Sequence, residues 1–139
     1  MYLDMKAFLK QQFKQNWEVF WKLKINNKLF QVDPSIGKRD FGGFNTRLDE
    51  IKFTRLRLGH TWLTNKYLLM GEPQPICNVC HCYLTIYHIL ICCPMYEEKR
   101  KHFLGNFEIK IEDVLERGDL QKNRSVINFL NATKLYGDI

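Results

Sequence analysis

All five cysteines of this 139-residue chain, Cys77, Cys80, Cys82, Cys92 and Cys93, fall within one short stretch, with His88 among them. A tetrahedral zinc needs four soft or borderline donors converging on a point, usually two from a tight C-x2-C turn and two from a later element. Cys77-Asn78-Val79-Cys80 has the form of that turn, and His88 and Cys93 complete the spacing C-x2-C-x7-H-x4-C, with Pro94 directly behind. A chain that closes such a site must bring these positions together whatever the rest of it does.

Disulfides account for the cysteines less well. Their number is odd, and the first residues carry Asp4, Lys6 and Lys10 where a secretory leader would be apolar, so a reducing intracellular setting, cytoplasmic or nuclear, is expected. Within the cluster, Cys77 and Cys80 are the firmest ligands, His88 is next, and the fourth is Cys93 or Cys92. On a helix starting near Thr85, His88 and Cys92 share a face at i, i+4, whereas Cys93 must turn in as the helix ends. Pro94 favours that turn because it biases the preceding residue away from helical geometry. His81 and Cys82, just after the turn, compete for the metal.

The formal charge is +6 and is uneven: residues 1–72 hold 13 Lys and Arg against 7 Asp and Glu, while residues 73–139 hold 8 of each. A basic half beside a zinc module points to a polyanion, with RNA or DNA the expected partner. The longest stretch without Asp, Glu, Lys or Arg, residues 73–96, contains prolines, histidines and the cysteines, which is too polar for a bilayer, so no membrane is expected.

The remaining pattern is helical. From residue 4 to about 24, Met5, Leu9, Phe13, Trp17 and Trp21 recur in steps of four, reinforced by Phe8 and Phe20, with Lys6, Lys10, Lys14, Glu18 and Lys22 alongside. The apolar stripe reads as core. Asn26-Asn27 ends this helix, and a loop over residues 33–43 carries Lys38 and Arg39. A second helix starts at Asn45 or Thr46, has Asp49 and Glu50 in its first turn, runs through Ile51, Leu56 and Leu58, and stops at Gly59. Thr61 caps a third helix bearing Leu63, Tyr67 and Leu68. Later helices are expected over residues 94–103, 111–117 and 121–135. The chain is therefore expected to be all-α, a small helical domain with a CCHC-type structural zinc site in its middle. Three parts make one compact domain: a basic helical segment (1–72), the zinc-binding segment (73–104) and C-terminal helices (105–139).

The run Arg55-Leu56-Arg57-Leu58-Gly59-His60-Thr61-Trp62-Leu63-Thr64, with Tyr67-Leu68-Leu69, Pro75-Ile76-Cys77, Cys80, Leu84-Thr85, His88-Ile89-Leu90 and Cys93-Pro94, resembles the C-terminal tail of jockey-like non-LTR retrotransposon polyproteins. That tail lies downstream of their reverse transcriptase and RNase H domains. The resemblance implies Cys77, Cys80, His88 and Cys93 as ligands of Zn2+, so Cys93 over Cys92. It also implies a role in binding element RNA or target DNA during reverse transcription at a nick. Cys82 and Cys92 depart from the pattern as extra thiols. The chain would then be a tail fragment, or a decayed or domesticated remnant, without the catalytic domains.

No catalytic constellation accompanies the cysteines. The carboxylates are scattered where two-metal phosphoryl chemistry needs them gathered, and Glu97-Glu98 beside Lys99-Arg100-Lys101 reads as a surface charge patch. Four protein donors also leave zinc no open position for water. The nucleic-acid contacts expected are Lys38, Arg39, Arg55, Arg57, His60 and Lys66; Trp62 reads as core first and as a stacking platform second, and His60 also suits the carbonyls at a helix end. Two functions follow: a non-catalytic nucleic-acid-binding module, or an interaction domain packed against a neighbouring RNase H or reverse-transcriptase domain, with zinc serving only folding.

Overall fold

The structure, a computed structural model, describes residues 2–34, 36, 44–105, 110–116 and 118–139. Among the described residues seven α-helices run in the order α1 (Tyr2–Lys22), α2 (Lys28–Val32), α3 (Arg47–Leu58), α4 (Trp62–Met70), α5 (Glu97–Leu104), α6 (Ile111–Val114) and α7 (Leu120–Ala132). Between α4 and α5 lie a metal-binding turn, a π-helical turn (His88–Cys92) and a 3₁₀ turn (Pro94–Tyr96), and a last 3₁₀ turn (Tyr136–Asp138) follows α7. Among the described residues there is no strand, only an isolated antiparallel bridge between Ile76 and Tyr83. The chain is an all-α domain, as its periodicity predicts.

The helix signals are local and are obeyed. Thr46 forms a reciprocal capping box with Asp49, its hydroxyl accepting the Asp49 N–H, and Gly59 ends α3 in the left-handed conformation at φ 65°. Thr61 accepts from the N–H of Thr64 at the start of α4, and Asp119 accepts from Gln121 and Lys122 at the start of α7. The short α2 escapes the sequence reading. Asn27, expected only to end the preceding helix, caps it by accepting from the N–H groups of Leu29 and Phe30.

The core forms where α3, the π turn, α6 and α7 meet, and Phe53, Leu56, Ile89, Leu90, Leu115, Val126, Phe129, Leu130 and Ile139 are almost wholly excluded from solvent in it. On α3 the buried face is Asp49, Lys52, Phe53, Leu56 and Arg57, whereas Ile51 and Leu58 lie outside. The buried charges are paired. Arg57 donates to Asp33 at 2.6 Å, and Tyr136 donates its hydroxyl to Asp49 at 2.7 Å while Lys52 donates to the Tyr136 carbonyl at 2.5 Å. Burial, followed by the nearby Arg55 charge, lowers the Lys52 pKa.

One expectation fails. The stripe of α1 is not core: Phe8, Phe13, Trp17 and Phe20 are exposed, with Phe13 at 73%. The C-terminal end of α1 is held. The Trp21 ring meets Phe30 edge-on at 5.6 Å and its indole N–H donates to the Asp33 carbonyl at 3.2 Å. Periodicity reports that a helix has a face to cover, and the face of α1 is not covered by the elements that make the core. Trp62, also expected in the core, is half exposed.

Candidate metal centre

The first half of the site is a knuckle. The N–H of Cys77 donates to the carbonyl of Cys82 at 2.8 Å, the N–H of His81 donates to the carbonyl of Cys77 at 2.9 Å, and the N–H of Leu84 reaches back to Pro75 at 2.8 Å. His81 takes a left-handed φ of 54°, which lets the chain reverse behind the turn. The turn folds its own backbone donors onto the Cys77 sulfur. Hydrogen bonds from the N–H of Cys80, then that of Val79, then from His88, pull the Cys77 thiol down to about 6. Desolvation, followed by the Cys77 and Cys93 sulfurs, pushes Cys80 up to about 12.

The second half comes from the π turn. Thr85 accepts the N–H of His88 on its hydroxyl at 3.0 Å, opening the turn. The N–H of Ile89 still donates four residues back to Thr85, but the N–H of Cys93 donates five residues back, to His88, at 2.8 Å. A π turn moves the backbone hydrogen bond to residue i from i+4 to i+5. Cys93 therefore stands above His88, and Cys92 is rotated out to solvent. Cys93 is extended (φ −66°, ψ 120°) with Pro94 opening the 3₁₀ turn after it, as the proline signal predicts.

The four donor atoms of Cys77, Cys80, His88 and Cys93 lie within 4.8 Å of one another. The Cys77 and Cys93 sulfurs are 3.8 Å apart, and two thiolates on a tetrahedral zinc at ~2.3 Å stand about 3.8 Å from each other, so this pair already has the separation the ion requires. Cys77, His88 and Cys93 are buried and Cys80 is partly so. The residues fit Zn2+, and the cluster is positioned to coordinate it. Of the competitors, His81 and Cys92 are exposed and outside the cluster. Cys82 is exposed too, its sulfur 3.4 Å from His88 Nδ1, an outer neighbour of the histidine and not a member of the four.

Two supports of the site were not legible beforehand. Arg100 belongs to no surface patch: it is buried on α5, and one guanidinium nitrogen donates to the carbonyls of Ile89 at 3.2 Å and Cys93 at 2.9 Å. These are carbonyls at the end of the π turn, where the widened ladder leaves acceptors over. Nothing in the spacing separates Arg100 from Lys99 and Lys101. The Thr85 hydroxyl is the other, and its signal is the placement of a threonine three residues before the histidine.

The expected polyanion contacts scatter. Lys38 and Arg39 lie outside the described residues. Arg57 is buried against Asp33, which removes it from the surface. Arg55 is exposed but donates to the main-chain oxygen of Ile139 at 3.0 Å. His60 is exposed, and it is its backbone N–H, not its ring, that donates to the carbonyl of Arg55 at the end of α3. Lys66 holds its ammonium 5.8 Å from the centroid of the Trp62 ring. Among the described residues no helix is long and apolar enough to cross a membrane. Comparison of the chain with protein families, with curated proteins and with solved structures gives no match.

Proposed function

We propose that this chain is a zinc-folded interaction module that packs against a neighbouring protein domain through α1, the metal serving to hold the fold. The observation that carries the reading is the uncovered face of α1, where Met5, Phe8, Leu9, Phe13, Trp17 and Phe20 are all about half exposed or more. A contiguous apolar stripe of that size marks an interaction site, and aromatic anchors dominate such interfaces. Lys6, Lys10 and Lys14 run beside it, so the complementary surface is an apolar groove with an acidic rim. The resemblance to jockey-like tails names the partner domains to try first, the reverse transcriptase or RNase H domain of such a polyprotein. Four protein donors, most of them buried, favour a structural and non-catalytic metal.

A nucleic-acid reading keeps one specific support. Trp62 is half exposed with Lys66 beside its ring, the arrangement of a stacking platform next to a phosphate-binding cation.

The test mixes the zinc-loaded chain with each candidate domain in a sedimentation-velocity experiment. A complex abolished by Phe13→Asp with Trp17→Asp supports the interaction reading. If neither domain binds, and RNA or DNA binds in a salt-dependent manner that Trp62→Ala weakens, the nucleic-acid reading replaces it.

A further inference from the structure

A cleft of about 290 Å³ opens between α2, α3, α4 and the segment leading into the π turn. Its floor is aliphatic, from Val32, Leu56, Leu84 and Ile86. Its polar lining holds two cations, Lys28 and Arg57, and no acid. Three observations describe how the polar lining is arranged.

The first is Arg57. It is 2% exposed, and although one of its terminal nitrogens is paired with Asp33, its Nε has no hydrogen-bond partner among the described residues. The Nε is wholly shielded from solvent, so Arg57 shapes the wall of the cleft and does not itself reach a ligand. The second is Lys28, whose side chain lies across Gly59, close enough that a Cβ there would stand 2.8 Å from Lys28 Cδ. The absence of a side chain at Gly59 gives the lysine its path along the wall, and no ion pair with it occurs among the described residues. The third is Asn65. The Thr61 and Thr64 hydroxyls hydrogen-bond at 2.9 Å, and Thr64 donates onward to Asn65 Oδ1 at 2.6 Å. That relay starts from buried threonines and orients the amide, whose NH2 has no hydrogen-bond partner among the described residues.

An aliphatic floor, an oriented amide with a second amide at Gln74, phenol rings at Tyr67 and Tyr87, and a lysine with no ion pair among the described residues form a consistent set. Amides read the edge of a planar heterocycle, aliphatic and aromatic side chains cover its face and an ammonium takes a phosphate. We infer that the cleft is a nucleotide site, with the base over Leu84 and Ile86, its edge at Asn65 and Gln74, and the phosphate at Lys28. The same chemistry is offered by a free nucleoside monophosphate and by one unit of a single strand. The site is independent of the α1 face. It adjoins the metal centre, because Thr85 lines the cleft and holds the N–H of His88.

The test is an amide NMR titration of the zinc-loaded full chain with AMP and UMP, with the nucleosides, with benzoate as an apolar anion, and with a short oligouridylate. Saturable shifts at Gly59, the Asn65 side-chain amide, Gln74 and Thr85 are expected. Lys28→Gln should weaken the monophosphates about tenfold, the loss of one charge-assisted contact, and leave the nucleosides unchanged. Tighter binding of the oligomer through the same amides assigns the strand as the source, and equal binding assigns the free nucleotide. Absence of shifts at millimolar nucleotide, shifts confined to other surfaces, benzoate binding as well as AMP, or indifference to Lys28→Gln in a protein whose spectrum remains folded each overturns the assignment.

Discussion

The guanidinium of Arg100 lies 2.9 Å from the carbonyl of Cys93, so the last ligand of the metal cluster is held through its backbone by a buried charge on the next helix. Zinc with three thiolates and a neutral imidazole carries one net negative charge, which Arg100 is placed to offset. The contact thus ties site electrostatics to the packing of α5 along α7, where Lys99 also donates to the Ala132 carbonyl at 2.5 Å.

Replacing Arg100 with Met should therefore act twice. Two buried carbonyls lose a charged donor, which costs about 2–3 kcal/mol, and zinc affinity falls roughly tenfold because an outer partner of the site is gone. Thermal unfolding and a chelator competition measure the two effects separately. A variant that binds zinc as tightly as the parent would show that Arg100 serves packing alone.

The π turn makes adjacent cysteines unequal. Cys93→Ser should reduce zinc affinity by orders of magnitude, and Cys92→Ser should leave it unchanged, since only Cys93 faces the other three donors. Cobalt substitution gives the readout, because the thiolate charge-transfer band counts sulfurs. Loss in Cys92→Ser with Cys93→Ser unaffected would mean the turn is an ordinary α-helical one.

Zinc affinity should rise with pH. Without metal, the Cys80 thiol, near 12, keeps its proton through the neutral range, and zinc binding expels it. The metal-free form thus binds more protons, so raising the pH favours the zinc-bound form, by at least tenfold per unit. Below about 6 the Cys77 proton joins and the slope steepens. A chelator competition across this range, corrected for the chelator's own protons, checks the sign, and a flat profile contradicts it.

Two helical phenylalanines should behave oppositely. Phe129→Ala removes a fully buried ring and should cost about 3–5 kcal/mol, whereas Phe13→Ser, on the open face of α1, should change stability by less than about 0.5 kcal/mol. Denaturant unfolding of the two variants decides it. A large loss from Phe13→Ser would place α1 against the core in solution.

What the sequence determined by itself is the set of features whose physics is local. Thr46, Gly59, Thr61 and Pro94 act on the backbone within one turn of themselves, so the ends of α3 and the start of α4 were readable. The ligand set was nearly so, because C-x2-C spacing encodes a turn whose geometry depends on few other residues. The choice of Cys93 over Cys92 depended on a one-residue change in hydrogen-bond register, which follows from the π turn and the Arg100 contact on its carbonyls. Whether Arg57 and Arg100 are surface or interior, and whether the stripe of α1 is core or open, depends on which elements reach them. A helix face is apolar whoever covers it, and a charge is buried only if a partner arrives from elsewhere in the chain. Those questions are settled by long-range packing, which only the tertiary structure decides.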